Sequence, residues 1–523
     1  MSNIPKCIRR DAERHTRDAR APQPPRNSLR APLFLRLLYK LETLDANLET
    51  LAMSIPVINV GQMRDWERAT WAKGQTEDEV IRRVGKKIAR HARRLTRADD
   101  LILILAGKGH NGDDARAAVE HLDNRRVELL DINSPEVDLQ RLELVLRLKP
   151  AFVIDGLFGI GLNRPLDENW KKFIATVNAA KLPVLAVDVP SGLNAETGEH
   201  FGAAIEAAVT LTVGAPKVGM LAQAAWPFVG RLEVLDDVGL EPCHIQSELK
   251  WTQPEDFQSY PPQRPVAGHK GTFGHLGILA GSLGYHGAAV LASRAAQRAQ
   301  PGLISLTTHE PVFHAIASQL QAVMVHVWTS DLKRFDASSA VLIGPGLAAL
   351  DITEQTKGAI RRFWRDSELP LIVDASALDW LAAQKTTVPQ AIRVITPHPG
   401  EAARMLNMTV PAVQADRLRA VRELSSRFGN SWVVLKGHQT LVGRSTGDIF
   451  VNSSGNPHLA QGGSGDALAG FIAGLVAQPP LQADAGRTIR YAVWQHGAAA
   501  DELQAKCSNW VVEDLVDMLG NAR

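Results

Sequence analysis

The chain has 523 residues, 45% of them apolar and 22% charged, with a formal net charge of +2. That length asks for two or three domains, and that balance is one of a folded globular protein rather than of a nucleic-acid scaffold or an acidic binder. The three cysteines, Cys7, Cys243 and Cys507, stand too far apart for a metal spacing or a disulfide framework, which suits a reducing cytoplasm, and no apolar run is long enough to span a membrane.

Residues 1–53 differ from the rest. Arg9, Arg10, Arg14, Arg17, Arg20, Arg26 and Arg30 stud a segment that also holds Pro22, Pro24 and Pro25. The apolar stretch 33–38 is broken by Arg36 and is too short for a secretory core. A disordered extension is expected. Folded-looking sequence begins just after Met53, where the true start would then lie. Asp11, Glu13 and Asp18 argue against an organellar transit peptide.

From Ile55 to about Leu240 strands and helices alternate. Glu77–Leu95 reads as a basic amphipathic helix. Leu101–Ala106 (LILILA) is short and wholly apolar, so it reads as a buried strand. A loop over 107–115 (GKGHNGDDA) follows, then a helix through Leu122. Strands are expected at 151–155 (AFVID), running into GLFGIGL, and at 184–189 (VLAVDV), running into Pro190, Ser191, Gly192 and Leu193. Strands that end in glycine-rich polar loops put those loops on one edge of a parallel sheet, where open α/β sheets bind their ligands. Residues 241–268 carry Pro242, Pro254, Pro261, Pro262 and Pro265 and read as a linker.

A second α/β series begins at His269. Strands are expected at 276–280, 303–307, Ala340–Ile343, 371–374, 394–396 and Trp432–Leu435. Helices are expected at 288–298, 352–364, 413–428, 466–477 and 483–503. Five glycine-rich or polar loops fall at the ends of these strands: 269–289 (HKGTFGHLGILAGSLGYHGAA), IGPGL at 343–347, TPHPGE at 396–401, LKGHQT at 435–440 and GGSGD at 462–466. In the last, the glycines allow a tight turn whose N–H groups point out of a helix N-terminus, an anion hole suited to phosphate. Asp466 is a poor phosphate ligand but a reasonable base for a hydroxyl about to receive phosphate. The plainer alternatives are a cap and a first-turn acid for Ser464 and Asp466, a turn cap for His398, a helix-dipole partner for Glu401 and an N-cap for Asp374. Lys436 can neutralise a phosphate.

By these loops the second half resembles the ribokinase-like fold, and more narrowly the ADP-dependent NAD(P)H-hydrate dehydratases. The resemblance runs from about His269 to the C-terminus. It rests on HKG, GPGL, DASAL at 374–378, TPHPGE, LKG and GGSGD, in the family's order. It implies that Lys436, Gly437, His438, Gln439, Thr440 and Gly465 hold the adenine nucleotide, ADP with Mg2+. It also implies that Ala288, Gly346, His398 and Asp466 line the hydrated nicotinamide nucleotide, with Asp466 as the catalytic base. In the family the ring hydroxyl is activated by phosphoryl transfer and phosphate then leaves.

The first half resembles the NAD(P)H-hydrate epimerases from about Val57 to Leu240, on GKGHNG at 107–112, DGLFGIGLNRPL at 155–166 and DVPSGLNAETG at 188–198. The resemblance implies that Asn111, Asp155 and Ser191 hold a potassium ion. It implies that His110, Asn111, Gly112, Asp113 and Asp114, with Gly159, Ile160, Gly161 and Leu162, hold substrate phosphates, and that Asp188 moves the proton. Here the sequence departs from the family's GNNGGDG: it reads GHNGDDA. Asp113 is expected to add charge beside a phosphate loop, and Ala115 to stiffen the start of the helix. VIRRVG at 80–85 also replaces the usual LMExAG.

The reading is an α/β protein of two domains, a Rossmann-like three-layer sandwich over 54–240 and a ribokinase-like three-layer sandwich over 269–523. Its substrates would be hydrated NADH and NADPH with ADP, its partners neither nucleic acid nor membrane, its assembly a homo-oligomer and its compartment the cytoplasm. The alternatives are a small-molecule kinase in the second half and a non-catalytic scaffold in the first.

Overall fold

The computed structural model describes residues 54–329, 332–350, 352–381 and 391–522. The expected extension over 1–53 and its start at Met53 lie outside the described residues.

The first sheet takes its strands from β2 (Leu101–Ala106), β3 (Arg126–Asp131), β4 (Phe152–Gly156), β5 (Val184–Val187), β6 (Val209–Val213) and β7 (Arg231–Leu235). Their order is β3-β2-β4-β5-β6-β7 and every pairing is parallel. The order reverses between β3 and β4, on either side of β2, so the crevice for a ligand opens beyond the C-terminal ends of β2 and β4. Alternation along LILILA builds the three layers. Ile102 and Ile104 pack with Met63, Val84 and Ile88 from the helices Val60–Ala72 and Glu77–Leu95. Leu103 and Leu105 pack on the other face with Leu142, Phe173 and Val177.

The second sheet has eleven strands, in the order β1-β8-β17-β16-β15-β14-β13-β12-β9-β10-β11. They are β1 (Ile55–Pro56), β8 (Leu249–Trp251), β9 (His275–Leu279), β10 (Leu303–Thr308), β11 (Met324–Val327), β12 (Ala340–Ile343), β13 (Leu371–Val373), β14 (Arg393–Ile395), β15 (Trp432–Leu435), β16 (Leu441–Gly443) and β17 (Ile449–Val451). Strands β9 to β15 run parallel, and the antiparallel β16 follows β15. Val341 and Ile343 face one layer, Ala340 and Leu342 the other.

The helix Ser464–Val476 lies in that second layer with nearly all of its residues buried. It meets the helix His286–Arg298 backbone to backbone. A methyl at Gly470 would stand 2.1 Å from the Ala292 carbonyl oxygen, so only glycine permits that approach.

Several expectations change. Residues 241–268 are more than a linker. β8 pairs in parallel with β17 and antiparallel with β1, and Trp251 and Phe257 are buried in the second domain's core. LKW at 249–251 has a charged residue at its centre and no apolar run, and the prolines on either side masked it. The loop after β2 is shorter than expected, because a helix runs from His110 to Ala117. Ala115 is therefore a buried helical residue in contact with Gly156, and its position needs no glycine. The expected helix 413–428 breaks at Asp416, whose backbone leaves the helical region while its carboxylate accepts from Arg419 N. β5 ends at Val187, one residue before Asp188.

Candidate functional site

Beyond the ends of β13, β14 and β15 three carboxylates surround one ammonium. Asp374 follows β13 and is buried; its Oδ1 accepts from Thr396 Oγ1 at 2.7 Å and from Lys436 Nζ at 2.8 Å. Glu401 lies in the first turn of the helix Pro399–Leu406, with Oε2 4.0 Å from Lys436 Nζ. Asp466 occupies the first turn of Ser464–Val476. Burial, then Asp374, with Glu401 adding and Lys436 opposing, pushes the Asp466 carboxyl up to about 7. Burial alone would lower Lys436, but Asp374, Glu401 and Asp466 together raise it, so it stays an ammonium. A methyl on Gly465 would lie 3.3 Å from Lys436 Nζ, so the ammonium stands beside the helix N-terminus that carries Asp466.

The surrounding loops are held by specific contacts. Gly463 turns into the helix with φ 93. His496, buried on the helix Ala485–Lys506, donates from Nε2 to the Ser464 carbonyl at 3.0 Å. Burial, then Lys436 against the bond to Ser464, pulls its pKa down to about 4. Ser282 Oγ donates to Gly346 O at 2.6 Å, and a methyl at Gly346 would meet Tyr285 O and the Ala288 methyl. Ala288 and Gly346 are thus neighbours. His398 is the N-cap of Pro399–Leu406: its Nδ1 accepts from Gly400 N and Glu401 N, and its Nε2 stands 3.5 Å from Glu401 Oε1. Capping accounts for one ring nitrogen; the half-exposed side chain leaves the ring open to a ligand. In the loop 436–440, Thr440 Oγ1 donates to Gly437 O and Arg417 Nη1 donates to His438 O at 2.7 Å.

The first sheet carries a cleft of about 830 Å³ at its switch point. His110, Asn111, Asp114, Gly159, Ile160, Gly161, Leu162 and Asp188 line it, as do Glu67 and Lys108. Gly112 and Asp113 do not. Gly112 is a packing glycine, since a methyl there would stand 2.1 Å from Gly107 O. The Asp113 carboxylate turns to Arg116 at 2.7 Å, which answers part of its charge; the rest still acts on Asp114 in the cleft.

Asp188 sits in a left-handed turn, φ 60, rare for a residue with a side chain. Its Oδ1 accepts from Lys217 Nζ at 2.5 Å, Val213 N at 3.0 Å and Thr212 Oγ1 at 3.2 Å. Lys217 is fully buried. Burial, then Asp188, raises both Glu67 and Asp114, the latter well above the usual carboxylate range. Asp155 is fully buried; its Oδ1 accepts from Ser191 Oγ at 2.6 Å and its Oδ2 from Ser191 N at 2.9 Å. Burial pushes it up to about 6 against those bonds. Asn111 Nδ2 donates to Phe158 O at 3.0 Å, which brings Asn111, Asp155 and Ser191 to one spot through the β4 loop.

Residues 276–519 match the family described as NAD(P)H-hydrate dehydratase, and residues 129–219 the one described as YjeF-related protein N-terminus. The bifunctional NAD(P)H-hydrate repair enzyme Nnr of Gloeobacter violaceus is 33% identical, over 86% of this chain and 94% of its own. That of Coxiella burnetii is 32% identical, over 84% and 93%. The chain belongs to the bifunctional NAD(P)H-hydrate repair enzymes. A solved structure of the ADP/ATP-dependent NAD(P)H-hydrate dehydratase of Bacillus subtilis, co-crystallised with ATP/Mg2+, is 33% identical and covers 51% of this chain and 94% of its own, with a TM-score of 0.45.

Within this repair-enzyme chain the sequence reading missed Lys217, Glu67, Arg417 and His496. GAPKVG, which holds Lys217, is one more polar loop after a buried strand and could have been singled out on that ground. The other three lie on helices and carry no local signal. The match to the first family begins at residue 129, beyond the loop whose sequence departs from the epimerase pattern.

Proposed function

We propose that the chain repairs hydrated NADH and NADPH. The first domain interconverts the R and S epimers, and the second dehydrates the S epimer with ADP as phosphoryl donor. The observation that carries this reading is Asp466, a carboxylate with its pKa brought up to about 7 at a glycine-turned helix N-terminus beside Lys436. Such a group accepts a proton near neutral pH, and the N–H groups around it stabilise charge moving on phosphate.

In the second domain Asp466 takes the proton of the ring hydroxyl as that oxygen bonds to the terminal phosphorus of ADP. The bond from that phosphorus to its bridging oxygen breaks, and AMP leaves. Phosphate then departs from the ring carbon with the C–O electron pair, and the adjacent carbon loses a proton to restore the double bond. Lys436 and the loop through Thr440, with Gly465, hold the nucleotide; Ala288, Gly346 and His398 hold the nicotinamide part. Three carboxylates against one ammonium leave an excess of negative charge that fits Mg2+ arriving with the nucleotide, where it would neutralise phosphate charge.

In the first domain Asp188 moves the proton while Lys217, Thr212 and Val213 N fix one of its oxygens. The all-oxygen set of Asn111, Asp155 and Ser191, with a fully buried carboxylate, fits a potassium ion, which would supply the charge Asp155 lacks. Cys243 and Cys507 are free, in keeping with the cytoplasm; among the described residues no helix is long and apolar enough to cross a membrane. The expected homo-oligomer is testable by light scattering.

The deciding experiment follows dihydronicotinamide absorbance on mixed R and S hydrate with ADP. Full conversion supports both activities. Conversion that stops at the S fraction, after slow spontaneous epimerisation is subtracted, leaves the first domain a scaffold. A stable phosphorylated product without restored absorbance sinks the dehydratase reading in favour of a kinase.

A further inference from the structure

The two halves meet at the nucleotide side of the second domain. The short helix Trp226–Val229 and the start of β7 belong to the first domain. Trp226 sets its ring edge against His438, with centroids 5.2 Å apart at 68°. The Arg417 guanidinium lies 5.7 Å from the same Trp226 ring and holds the His438 carbonyl. Five residues on, Arg231 pairs with Asp501 at 2.9 Å. Asp501 in turn accepts from Gly455 N at 2.9 Å and Asn456 Nδ2 at 3.0 Å, in the stretch that leads to GGSGD. One short piece of the first domain therefore touches the loop 436–440 directly and bears on the stretch 455–456 through Asp501 of the helix Ala485–Lys506.

These loops need holding. Gly437 has φ 131 and Gln439 φ 50. A left-handed residue with a side chain persists only where its surroundings fix it. Between the two, His438 is gripped at its carbonyl by Arg417 and at its ring by Trp226. Arg417 is itself buried, placed at the start of its helix by the break at Asp416. The contact is continuous with packing: Val229 and Leu232 of the first domain share a buried apolar cluster with Leu435 and Leu441 of the second.

We propose that Trp226 and Arg231 are positioning residues for the nucleotide site, through which the first domain holds the loops 436–440 and 455–456 of the second in their ADP-binding shape. This rests on the reading of 436–440 as the nucleotide loop. It gives the fusion of two activities in one chain a physical consequence: the second domain's affinity for ADP depends on the first.

The test uses the full chain and titrates ADP at saturating hydrate, with calorimetry as a second measure. Trp226→Ala should raise the apparent constant for ADP about five- to tenfold while kcat stays within about twofold. Trp226→Phe keeps an aromatic edge and should recover most of the affinity. Arg231→Ala should raise the constant about threefold, and Arg231→Lys should recover part of it. In a His438→Ala background Trp226→Ala should add nothing, because the contact is already gone. The proposal is overturned if Trp226→Ala leaves the ADP constant unchanged, if it lowers only thermal stability or kcat, or if its effect adds in full to that of His438→Ala. Lys436→Ala separates the two failures. If wild type does not bind ADP, or Lys436→Ala leaves binding untouched, the nucleotide-loop reading itself is wrong and the proposal falls with it.

Discussion

On the proposed function Asp466 acts as a carboxylate base, and its raised pKa would then set the pH at which the second domain can act. As pH falls through about 7 the group takes up its proton and the base is lost, so the dehydration rate should fall along a single acid limb there. Asp466→Asn should lower kcat by about 10²–10⁴ while sparing nucleotide binding, and its residual rate should lose that limb. A variant within a few-fold of wild type, with the limb intact, would make Asp466 a first-turn acid and nothing more. At the other site Asp113→Gly should change the Michaelis constant for the R epimer by less than about threefold, since the charge it removes is exposed and partly answered by Arg116. A large improvement on that substitution would mean that the Asp113 charge repels a phosphate in the cleft. Lys436 and Asp188 could be singled out because each directly follows a buried strand, and Asp466 because the glycines of GGSGD precede a helix. Lys217 also lies in a loop after a strand, but its pairing with Asp188 was not legible, because Asp188 lies 29 residues upstream and only the parallel pairing of β5 with β6 brings them together.

The helix Ser464–Val476 depends on a neighbour that has no part in the chemistry. His496 reaches across from Ala485–Lys506 to the Ser464 carbonyl and is held neutral by its burial. Its folded pKa, about 4, lies below the usual 6.5. The unfolded chain therefore takes up a proton between about pH 6.5 and 4 that the folded one refuses. The stability this neutral histidine leaves intact above pH 6.5 is lost as pH falls through that window, by roughly 3 kcal/mol in all. His496→Asn retains a donor for the carbonyl and cannot titrate there. Denaturant curves at pH 7.5 and 5 should show the wild type losing more stability than the variant; equal losses would mean that water reaches His496. The same scale shows where sequence patterns fail. Glu77–Leu95, with three and four residue spacings sustained over 19 positions, was predicted to the residue. The three-residue β8 was not, since LKW has a charged residue at its centre and lacks the adjacent aliphatic residues that marked the equally short β13 and β14.

At the scale of the molecule, the chain does not divide where the prolines suggested. β1 and β8 stand at one edge of the eleven-stranded sheet, although one opens the stretch assigned to the first domain and the other lies in the apparent linker. Trp251 and Phe257, 2% and 5% exposed, fill the second domain's core from that segment. Phe257 packs on Tyr491 and Trp494, with ring centroids 5.5 and 5.6 Å away. Losing a buried aromatic of this kind costs about 3–5 kcal/mol. Two together approach the whole stability of an ordinary domain, about 5–15 kcal/mol. A piece that begins at His269, the boundary read from sequence, should therefore be insoluble or molten, whereas one that begins at Glu241 should fold cooperatively. The second piece still lacks Trp226 and Arg231, so it should turn over S hydrate with a weakened constant for ADP. Circular dichroism melts of the two pieces decide the boundary. If the piece from His269 melts as sharply and at the same temperature as the piece from Glu241, then Trp251 and Phe257 pack on the second domain without stabilising it, and residues 241–268 are a linker after all.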